Sequence, residues 1–425
     1  MSVRGDNMAN VREDAMTVIK ESIEAVLPDV AVKRALEDKE FYTDVYVIAI
    51  GKAAWNMADA TKDVLGDKIK RGLVVTKYEH SMGEIEGFEI IEAGHPIPDE
   101  NSVLGAKKAL ELVEGLGKDD KVIFLISGGG SALFEKPLEG VSLEDIMDIT
   151  NQLLGCGADI VEINTVRKHL SDVKGGRFAL ACKNTTVYSI VLSDVLGDKL
   201  DSIASGPAYP DFTTSEQAME IIEKYGLHIE DNLKNAIMIE TPKEIGNCET
   251  IITGSVTALC EAAAESALRL GYKPIILSSS VECEAKDAGR FMATIIKEAK
   301  KEYPSRFAPQ VPCAVIAGGE TVVRIMGKGK GGRNQEAALA AAIEIEGIED
   351  AVFFSLGSDG TDGPTDAAGG IVDGRSAEKI RKSGIMPEVY LDMNDSYNAL
   401  KASDDLIITG ATGTNVNDVM VALCK

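Results

Sequence analysis

Short apolar runs that each stop at a glycine, serine, aspartate or histidine recur along this sequence and constrain its fold more than any other feature. Runs without polar alternation are typical of strands buried on both faces, which occur in mainly parallel sheets covered by helices. After the first run a helix-like stretch at 53–65 follows a single tight turn. The sequence therefore predicts an α/β fold, and ligands of such sheets bind at the carboxyl ends of the strands. In the first half of the chain the runs occupy residues 46–50, 73–76, 88–94, 122–130 and 187–195.

The length of 425 residues predicts two domains, because a single hydrophobic core stops growing well below this size. The polar stretch 227–250 is the best candidate linker, which places the boundary near residue 240. We therefore predict a Rossmann-like α/β domain over residues 1–240 and a second α/β domain over 241–425. Each lobe should hold a mainly parallel or mixed sheet flanked by helices. The second series of runs lies at 251–253, 274–280, 313–320, 352–360 and 406–410.

The charge balance restricts the class of partner. With 68 acidic and 44 basic residues the net charge is -24, which repels nucleic acid and anionic membranes. An anionic substrate would therefore need local clusters of Lys and Arg. The seven cysteines are scattered without C-x-x-C spacing, which indicates neither a disulfide framework nor a zinc site. Without a signal-like start or an apolar run of roughly 20 residues, a cytoplasmic location is predicted.

A glycine-rich turn ends the fourth apolar run in ISGGGSALF. Glycines let main-chain N–H groups approach an oxyanion closely, so this turn predicts a phosphate contact. A tight turn without a ligand remains the alternative. The residues concerned are Ser127, Gly128, Gly129, Gly130 and Ser131.

Positive side chains are notable at two places in the first half, one a single lysine and the other a cluster. Lys52 follows the first strand and can reach a site there as a point charge, although a solvated surface lysine is equally compatible. His169 is interpreted as a structural hydrogen-bonding residue, because no Ser or Cys motif accompanies it. A solvated helix face is the alternative for Lys168 and Lys174. The segment 164–179 carries the second cluster, which consists of Arg167, Lys168, Lys174 and Arg177.

Carboxylates follow two of the apolar runs. Asp194 stands at the end of the fifth run, and Asp198 and Asp201 follow it. Mg²⁺ could take one or two protein oxygens there and leave room for phosphates. Loop capping is the alternative, above all for Asp201 and Asp211. The loop 355–370 holds further aspartates that could position a metal or a hydroxyl group, or form an Asx turn. These are Asp359, Asp362 and Asp366.

The loop after residue 326 has the formal spacing G-x-G-x-x-G and is followed by a helix. A lone match of this kind weakly indicates a dinucleotide-binding dehydrogenase. Lys328, Lys330 and Arg333 crowd the same loop, however, and three cations fit a polyphosphate or a carboxylate better. No G-x-x-x-x-G-K-[ST] string occurs, which excludes a P-loop kinase. The glycines are Gly327, Gly329 and Gly332.

Taken together, these strings resemble the glycerate 2-kinases whose carboxyl-terminal half is called the MOFRL domain. The resemblance runs in order from about residue 30 to the end of the chain. It is carried by ISGGGSALF, VRKHLSDVKGGRFA, VLSDVLGDKLDSIASGP, GGETVV with GKGKGGRNQE, SLGSDGTDGPTDAAGG and LIITGATGTNVNDVMVAL.

The resemblance implies two α/β lobes, with the active site in the cleft between them and a carboxyl-terminal MOFRL lobe. It implies transfer of the γ-phosphoryl group of ATP to the 2-hydroxyl of D-glycerate, in the breakdown of sugar acids. Lys52 and Arg333 become the leading catalytic, substrate or phosphate contacts, and Asp359 joins them at the substrate. The turn 127–131 and Lys330 would hold nucleotide phosphate, with Asp194 near Mg²⁺ or another divalent cation.

Three questions stay open at this point. The general base could be Asp194, Asp359 or Asp362, and the residues do not choose among them. The rival functions are an NAD(P)H-dependent hydroxypyruvate reductase and a non-catalytic ligand sensor. The expected partners are D-glycerate and ATP rather than nucleic acid or membrane, and a homo-oligomer is left open.

Overall fold

The computed structural model describes residues 11–195, 197 and 200–425, and the chain forms two compact units. The first unit is 28–253, and the second combines the described residues up to Leu27 with those from Gly254 onward. Helix α1 (Val11–Ala25) therefore begins the described chain but belongs to the second unit. None of the helices in these described ranges is both long and apolar enough to cross a membrane.

The first unit is built on a sheet with the strand order β3-β2-β1-β4-β5-β6. The pairs β2–β3, β1–β2, β1–β4 and β4–β5 are all parallel. Its strands are β1 (Val45–Ile50), β2 (Ile69–Lys77), β3 (Phe88–Ala93), β4 (Lys121–Ile126), β5 (Thr186–Leu192) and β6 (Cys248–Gly254). Its helices are α2 (Pro28–Leu36), α3 (Ala54–Leu65), α4 (Glu100–Val113), α5 (Gly130–Leu133), α6 (Leu143–Gly155), α7 (Ile160–Leu170), α8 (Arg177–Ala181), α9 (Ser215–Lys224) and α10 (Asp231–Ile237).

The central strands of this sheet are apolar throughout because both of their faces are covered. Ile48 and Phe124 pack into a core cluster on one face, whereas Val47 and Ile123 pack into a separate cluster on the other. Successive side chains of a strand point to opposite faces, so a strand covered on both faces needs an unbroken apolar run. The predicted α/β fold is confirmed here.

The second unit holds a mixed sheet with the strand order β11-β10-β9-β12-β8-β7. Only β7–β8 is parallel among its described pairs, and the others are antiparallel. Its strands are β7 (Lys273–Val281), β8 (Cys313–Gly319), β9 (Ala351–Gly357), β10 (Gly369–Asp373), β11 (Leu406–Ile407) and β12 (Asp418–Cys424). Besides α1, its helices are α11 (Val256–Arg269), α12 (Ala285–Ala299), α13 (Arg333–Glu344), α14 (Ser376–Lys382), α15 (Pro387–Asp392) and α16 (Ser396–Ser403).

The compact units differ from the predicted domains 1–240 and 241–425 in two places. Strand β6 was assigned to the second domain, but it is hydrogen-bonded beside β5 in the first sheet. Helix α1 was assigned to the first domain, but it packs in the second unit, where Asp14 accepts a hydrogen bond from Tyr272 at 2.7 Å. The expected linker at 227–250 contains α10 and the start of β6, because its weak periodicity reflects short elements.

Candidate functional site

The carboxyl ends of β1 and β4 in the first unit are joined by main-chain hydrogen bonds. Ser127 N donates to Ile50 O at 3.0 Å, and Lys52 N donates to Gly128 O at 2.9 Å. Ser127 Oγ accepts a further bond from Ala53 N at 3.1 Å. Because adjacent parallel strands end at the same edge, the sheet places Lys52 beside the turn 127–131.

Two glycines of this turn make room for functional side chains. A Cβ atom on Gly128 would lie 2.2 Å from Asp194 Oδ2, so only glycine lets the carboxylate take this position. Gly129 has φ +87, and a Cβ atom there would lie 3.0 Å from the His95 ring and 3.2 Å from Lys52 Cγ. The structure therefore brings Lys52, Asp194 and the turn together at one edge of the sheet.

Two histidines at the same edge were not predicted as site residues. His95 follows β3 closely in the chain and contacts Gly129, and His80 Nδ1 lies 3.1 Å from Lys52 O. Burial lowers the pKa of His95, and the positive charges of Lys52 and Lys77 lower it further. The signal was present in the sequence, because His95 stands where an apolar run stops.

Cations of the segment 164–179 form ion pairs with buried carboxylates near the turn 127–131 and do not form a solvated helix face. Lys168 pairs with Asp211 at 3.2 Å, and Lys174 Nζ lies 3.7 Å from Glu135, both pairs being fully or almost fully buried. Burial lowers the pKa of Lys174 to about 8. The solvated alternative for Lys168 and Lys174 is therefore wrong, because their ammonium groups neutralise buried carboxylates.

Arg167 links this buried layer to the turn itself. Its Nη2 donates to Ser131 O at 2.9 Å and lies 3.8 Å from Glu135. Ser131 Oγ lies 3.1 Å from Ser205 Oγ. His169 Nδ1 lies 2.9 Å from Thr165 O inside the same helix, which agrees with the structural role predicted for it.

In the second unit, Arg333 stands at the start of α13 and is held from two sides. Its Nε donates to Asp418 Oδ2 at 2.5 Å and its Nη2 donates to Asp418 Oδ1 at 3.0 Å. Its Nη1 donates to Glu320 Oε1 at 3.3 Å. Burial alone would lower the pKa of Arg333, but the hydrogen bonds and charge of Asp418 outweigh it and raise that pKa. Asp418 was missed because it lies 85 positions from Arg333 in the sequence. Glu320 lies only 13 positions away, but no local pattern pairs it with Arg333.

The Asp362 side chain caps the amino terminus of α13. Its Oδ1 accepts from Asn334 N at 3.1 Å, and its Oδ2 accepts from Gln335 N at 2.8 Å. Burial raises the pKa of Asp362 to about 6, although these main-chain bonds lower it. The open possibility that Asp362 is the general base is therefore disfavoured, because both oxygens already cap the helix.

The glycines of the G-x-G-x-x-G loop serve close packing within the second unit. A Cβ atom added to Gly327 would lie 2.1 Å from Met393 O. A Cβ atom added to Gly332 would lie 2.3 Å from the carboxyl carbon of Asp362. Lys330 N donates to Asp395 Oδ1 at 3.0 Å, and the Lys330 ammonium lies 4.2 Å from the centre of the Tyr397 ring. Close packing therefore accounts for these glycines, and the G-x-G-x-x-G spacing no longer argues for dinucleotide binding.

Asp359 lies beside the Arg333–Asp418 pair. A Cβ atom on Gly357 would lie 3.3 Å from Asp359 Oδ1 and 3.4 Å from Asp418 Oδ1. Asp359 Oδ1 also accepts from Thr361 N at 2.9 Å, which is the Asx-turn bond foreseen as an alternative. Arg333, Asp359 and Lys330 thus belong to the second unit, whereas Lys52, Asp194 and the turn belong to the first.

Asp194 is the described carboxylate best placed to share a divalent cation with a phosphate. Mg²⁺ is commonly bound by one or two protein carboxylates together with substrate phosphates, and Asp194 contacts the glycine turn. Asp201 lies 3.5 Å from Lys168 instead, and Asp198 lies outside the described residues. Within the described ranges no group of three or more His, Cys, Asp or Glu residues is arranged to hold a metal.

Known proteins resemble this chain over nearly its whole length. A D-glycerate 2-kinase of Thermotoga maritima is 55% identical over 97% of this chain and 98% of its own length. A protein of Agrobacterium vitis named a putative hydroxypyruvate reductase is 39% identical over 98% of this chain and 95% of its own. The crystal structure of the Thermotoga maritima glycerate kinase superposes with a TM-score of 0.93 at 54% identity, over 98% of this chain and 99% of that one.

Two families match successive parts of the chain. A domain of unknown function, DUF4147, matches residues 14–238, and the MOFRL family matches residues 313–418. The first match contains Lys52, Asp194 and the glycine turn, and the second contains Arg333, Asp359 and Asp418. The chain belongs to the glycerate 2-kinase family with a carboxyl-terminal MOFRL domain.

Proposed function

We propose that this protein is a kinase that transfers the γ-phosphoryl group of ATP to the 2-hydroxyl of D-glycerate, yielding 2-phosphoglycerate and ADP. The observation that carries the proposal is the full-length similarity to the Thermotoga maritima D-glycerate 2-kinase, at 55% identity. The structure supports phosphate chemistry independently, because cations and a glycine turn meet at the carboxyl edge of the first sheet. Since ATP is a cytoplasmic co-substrate, the predicted cytoplasmic location is part of this proposal.

At phosphorus the reaction forms one bond and breaks one, and the O–H bond of the attacking hydroxyl breaks as its proton passes to a base. The 2-hydroxyl oxygen attacks the γ-phosphorus, the bond from that phosphorus to the β,γ-bridging oxygen breaks, and the hydroxyl proton is released. Phosphoryl transfer requires mainly positioning and stabilisation of negative charge. The residues that carry the function should therefore be cations and main-chain amides that hold anionic oxygens.

In the first unit we assign phosphate binding to Lys52 and to the turn from Ser127 to Ser131. Gly128 and Gly129 expose main chain where a side chain would collide with Asp194 or His95. Arg167 donates a hydrogen bond to Ser131 O at the end of this turn, and the buried Lys174–Glu135 pair lies next to Arg167. His95, with its lowered pKa, stays neutral and can donate or accept a hydrogen bond at the same edge.

In the second unit we assign Arg333 to an anionic group of the substrates. Asp418 holds two of its nitrogens, which fixes the plane of the guanidinium group. The third nitrogen faces Glu320, whose side chain is about half exposed and can give way to a carboxylate or phosphate oxygen. Asp359, beside this pair, is proposed to contact the hydroxyl groups of glycerate, and Lys330 to contact nucleotide phosphate.

A divalent cation belongs to the proposal as a co-factor of ATP. Asp194 fits as a ligand by its contact with the glycine turn, and Mg²⁺ is the hard cation that carboxylate and phosphate oxygens prefer. When bound, the cation would neutralise part of the phosphate charge. Asp194 is then committed to the cation, which leaves Asp359 as the remaining candidate for accepting the hydroxyl proton.

Phosphorus NMR of the product tests the proposal directly. The purified protein, ATP and Mg²⁺ are incubated with D-glycerate or L-glycerate in separate reactions, and 2-phosphoglycerate is expected from the D isomer. A parallel reaction with hydroxypyruvate and NADH tests the reductase. Oxidation of NADH without consumption of ATP would overturn the kinase assignment, and ATP binding without turnover would indicate a sensor.

A further inference from the structure

A short segment after β5 in the first unit has an unusual backbone. Ala204, Ser205 and Gly206 have φ values of +51, +59 and +64, so three successive residues lie in the left-handed region. Residues with a side chain adopt this region at an energetic cost and normally one at a time. The segment belongs to the string DSIASGP, to which the proposed function assigns no role. Backbone strain persists only where the surrounding structure holds it, and it is concentrated at functional sites.

Main-chain hydrogen bonds hold this left-handed backbone in place. Gly175 N donates to Ser205 O at 3.0 Å, and Gly176 N donates to Gly206 O at 2.8 Å. Gly206 N donates to Ile203 O at 2.8 Å, which closes the turn from within. Gly175 and Gly176 have φ values of +56 and +85, so the segment that holds this backbone is itself left-handed. The backbone is therefore fixed, and with it the position of the Ser205 side chain.

The Ser205 hydroxyl links helix α7 to the glycine turn of the first unit. Ser205 is fully buried, and its Oγ donates to Asn164 Oδ1 at 3.1 Å. Ser131 Oγ lies 3.1 Å from Ser205 Oγ. A hydroxyl group has one proton, and because that of Ser205 is donated to Asn164, Ser131 is the donor to Ser205. The Ser131 hydroxyl is thus held with its proton directed into the protein.

Helix α7 also holds the main chain of Ser131. Asn164 and Arg167 are three residues apart on this helix and therefore lie on one face of it. Arg167 Nη2 donates to Ser131 O at 2.9 Å, whereas Asn164 is connected to the Ser131 hydroxyl through Ser205. Both the carbonyl and the hydroxyl of Ser131 are therefore fixed by one helix, and the second connection exists only through Ser205.

We propose that Ser205 is a positioning residue for the phosphate-binding turn 127–131. Its hydroxyl fixes Ser131, and its neighbour Ala204 packs against the turn at Gly130, where a Cβ atom would lie 2.8 Å from Ala204 Cβ. The strained backbone brings the hydroxyl between α7 and the turn, so the main-chain amides of the turn are held ready for phosphate oxygens. The proposal rests on the proposed function, because it takes this turn as the site of the ATP phosphates.

Two substitutions distinguish the effect of the Ser205 hydroxyl from that of its backbone. Ser205→Ala and Ser205→Gly both remove the hydroxyl, but only glycine relieves the left-handed backbone, so the glycine variant should have the higher melting temperature. Both should raise the KM for ATP about tenfold, because one ordered hydrogen bond is lost, and leave the KM for glycerate unchanged. A folding defect would instead lower kcat, because less enzyme would be active. A natural KM for ATP in the glycine variant would overturn the proposal, since the hydroxyl would then be dispensable.

Ser131→Ala tests whether Ser205 acts through Ser131. If it does, the double variant Ser131→Ala/Ser205→Ala should have the same KM for ATP as Ser131→Ala alone, and multiplied effects would refute the connection. Ser22→Ala is the control, because it removes a fully buried hydroxyl that donates to Ile19 O in α1. Its KM for ATP should stay natural. An equal rise in the control would contradict the proposal, because loss of any buried hydroxyl would then suffice.

Isothermal titration calorimetry with ATP distinguishes failure of this proposal from failure of the proposed function. A natural protein that binds ATP without phosphorylating glycerate refutes the proposed function, and a Kd for ATP about tenfold higher in Ser205→Ala then still supports the positioning role. A natural protein that phosphorylates glycerate, together with an unchanged Kd and KM for ATP in both Ser205 variants, refutes the positioning role alone.

Discussion

Arg333 and Asp418 form a two-point ion pair between residues 85 positions apart, with donor–acceptor distances of 2.5 and 3.0 Å. The Asp418 side chain is only 4% exposed, whereas that of Arg333 is 34% exposed. The buried Asp418 carboxylate thus fixes the position of the Arg333 guanidinium group, which is partly exposed to solvent. An arginine held by two of its nitrogens presents the third in one fixed direction, which a flexible lysine does not do.

Comparing Arg333→Lys with Arg333→Ala therefore distinguishes the effect of the positive charge from that of the fixed guanidinium orientation. We expect Arg333→Lys and Arg333→Ala each to lower kcat/KM by about 100-fold or more, because lysine restores the charge without the two-point anchor. Steady-state kinetics of ATP-dependent glycerate phosphorylation measures this effect. Arg381→Ala removes an arginine that bridges two surface glutamates and should leave kcat/KM unchanged. An Arg333→Lys enzyme with natural activity would contradict the anchored role.

Lys52 provides a test of the first unit. Lys52→Ala should lower kcat/KM by about 100-fold while the melting temperature stays close to that of the natural protein, because the side chain is partly exposed. Lys62→Ala, on the following helix α3, removes a lysine that is paired only at the surface with Glu86. The proposed phosphate contact at Lys52 fails if both variants keep the same activity.

Gly128→Ala probes the space that Asp194 occupies. The added Cβ would lie 2.2 Å from the carboxylate, so Asp194 and the turn must move apart. A displacement of about 1 Å in a site of this kind can cost about 100-fold in rate, and we expect a loss of 10- to 100-fold in kcat. Gly155→Ala is the matched control, since no atom lies within 4 Å of a Cβ at that position. Equal kinetics for the two variants would remove the turn from the mechanism.

The pKa of Asp362, raised by burial to about 6, predicts a dependence of stability on pH. Between the ordinary pKa near 3.8 and pH 6 the folded protein holds a proton that the unfolded chain has released. Stability contributed by this group is therefore present below pH 4 and is lost as the pH rises through 6. Asp362→Asn removes this titration, so the variant should gain roughly 1–3 kcal/mol relative to the natural protein from pH 4 to pH 7.

Urea unfolding at several pH values measures the difference between the two proteins. Asp366→Asn is the control, because the hydrogen bond from Tyr397 lowers the pKa of Asp366 and moves its titration below this range. Its difference from the natural protein should stay constant. A constant difference for Asp362→Asn as well would show that the carboxyl group titrates normally.

The strands of the first unit could be predicted because burial on both faces leaves a direct mark in the sequence. The apolar runs near Val47 and Phe124 are confirmed as β1 and β4, and the glycine turn follows the end of β4. In the second unit, β10 and β12 were not predicted as strands. A short apolar run such as that of β12 does not reveal by itself whether it forms a strand or a buried helix.

The site was predictable where its residues end consecutive strands, and not where they meet from distant segments. Lys52 and Gly128 are adjacent because the sheet pairs β1 with β4, which is a rule of the fold. The pairing of Arg333 with Asp418 depends on antiparallel neighbours that local patterns do not specify. The sequence left a solvated position open for Lys174, because its partner, Glu135, is also charged and a buried pair of opposite charges produces no apolar pattern.

Helix α1 packs in the second unit although the whole of the first unit follows it in the chain. During synthesis on the ribosome, residues 28–253 emerge before α11 and Tyr272, both of which pack against α1. The first unit is thus an uninterrupted segment that can reach its final form early, whereas the second must wait for its last strand. A chain rejoined so that α1 follows β12 would let both units fold in the order of translation.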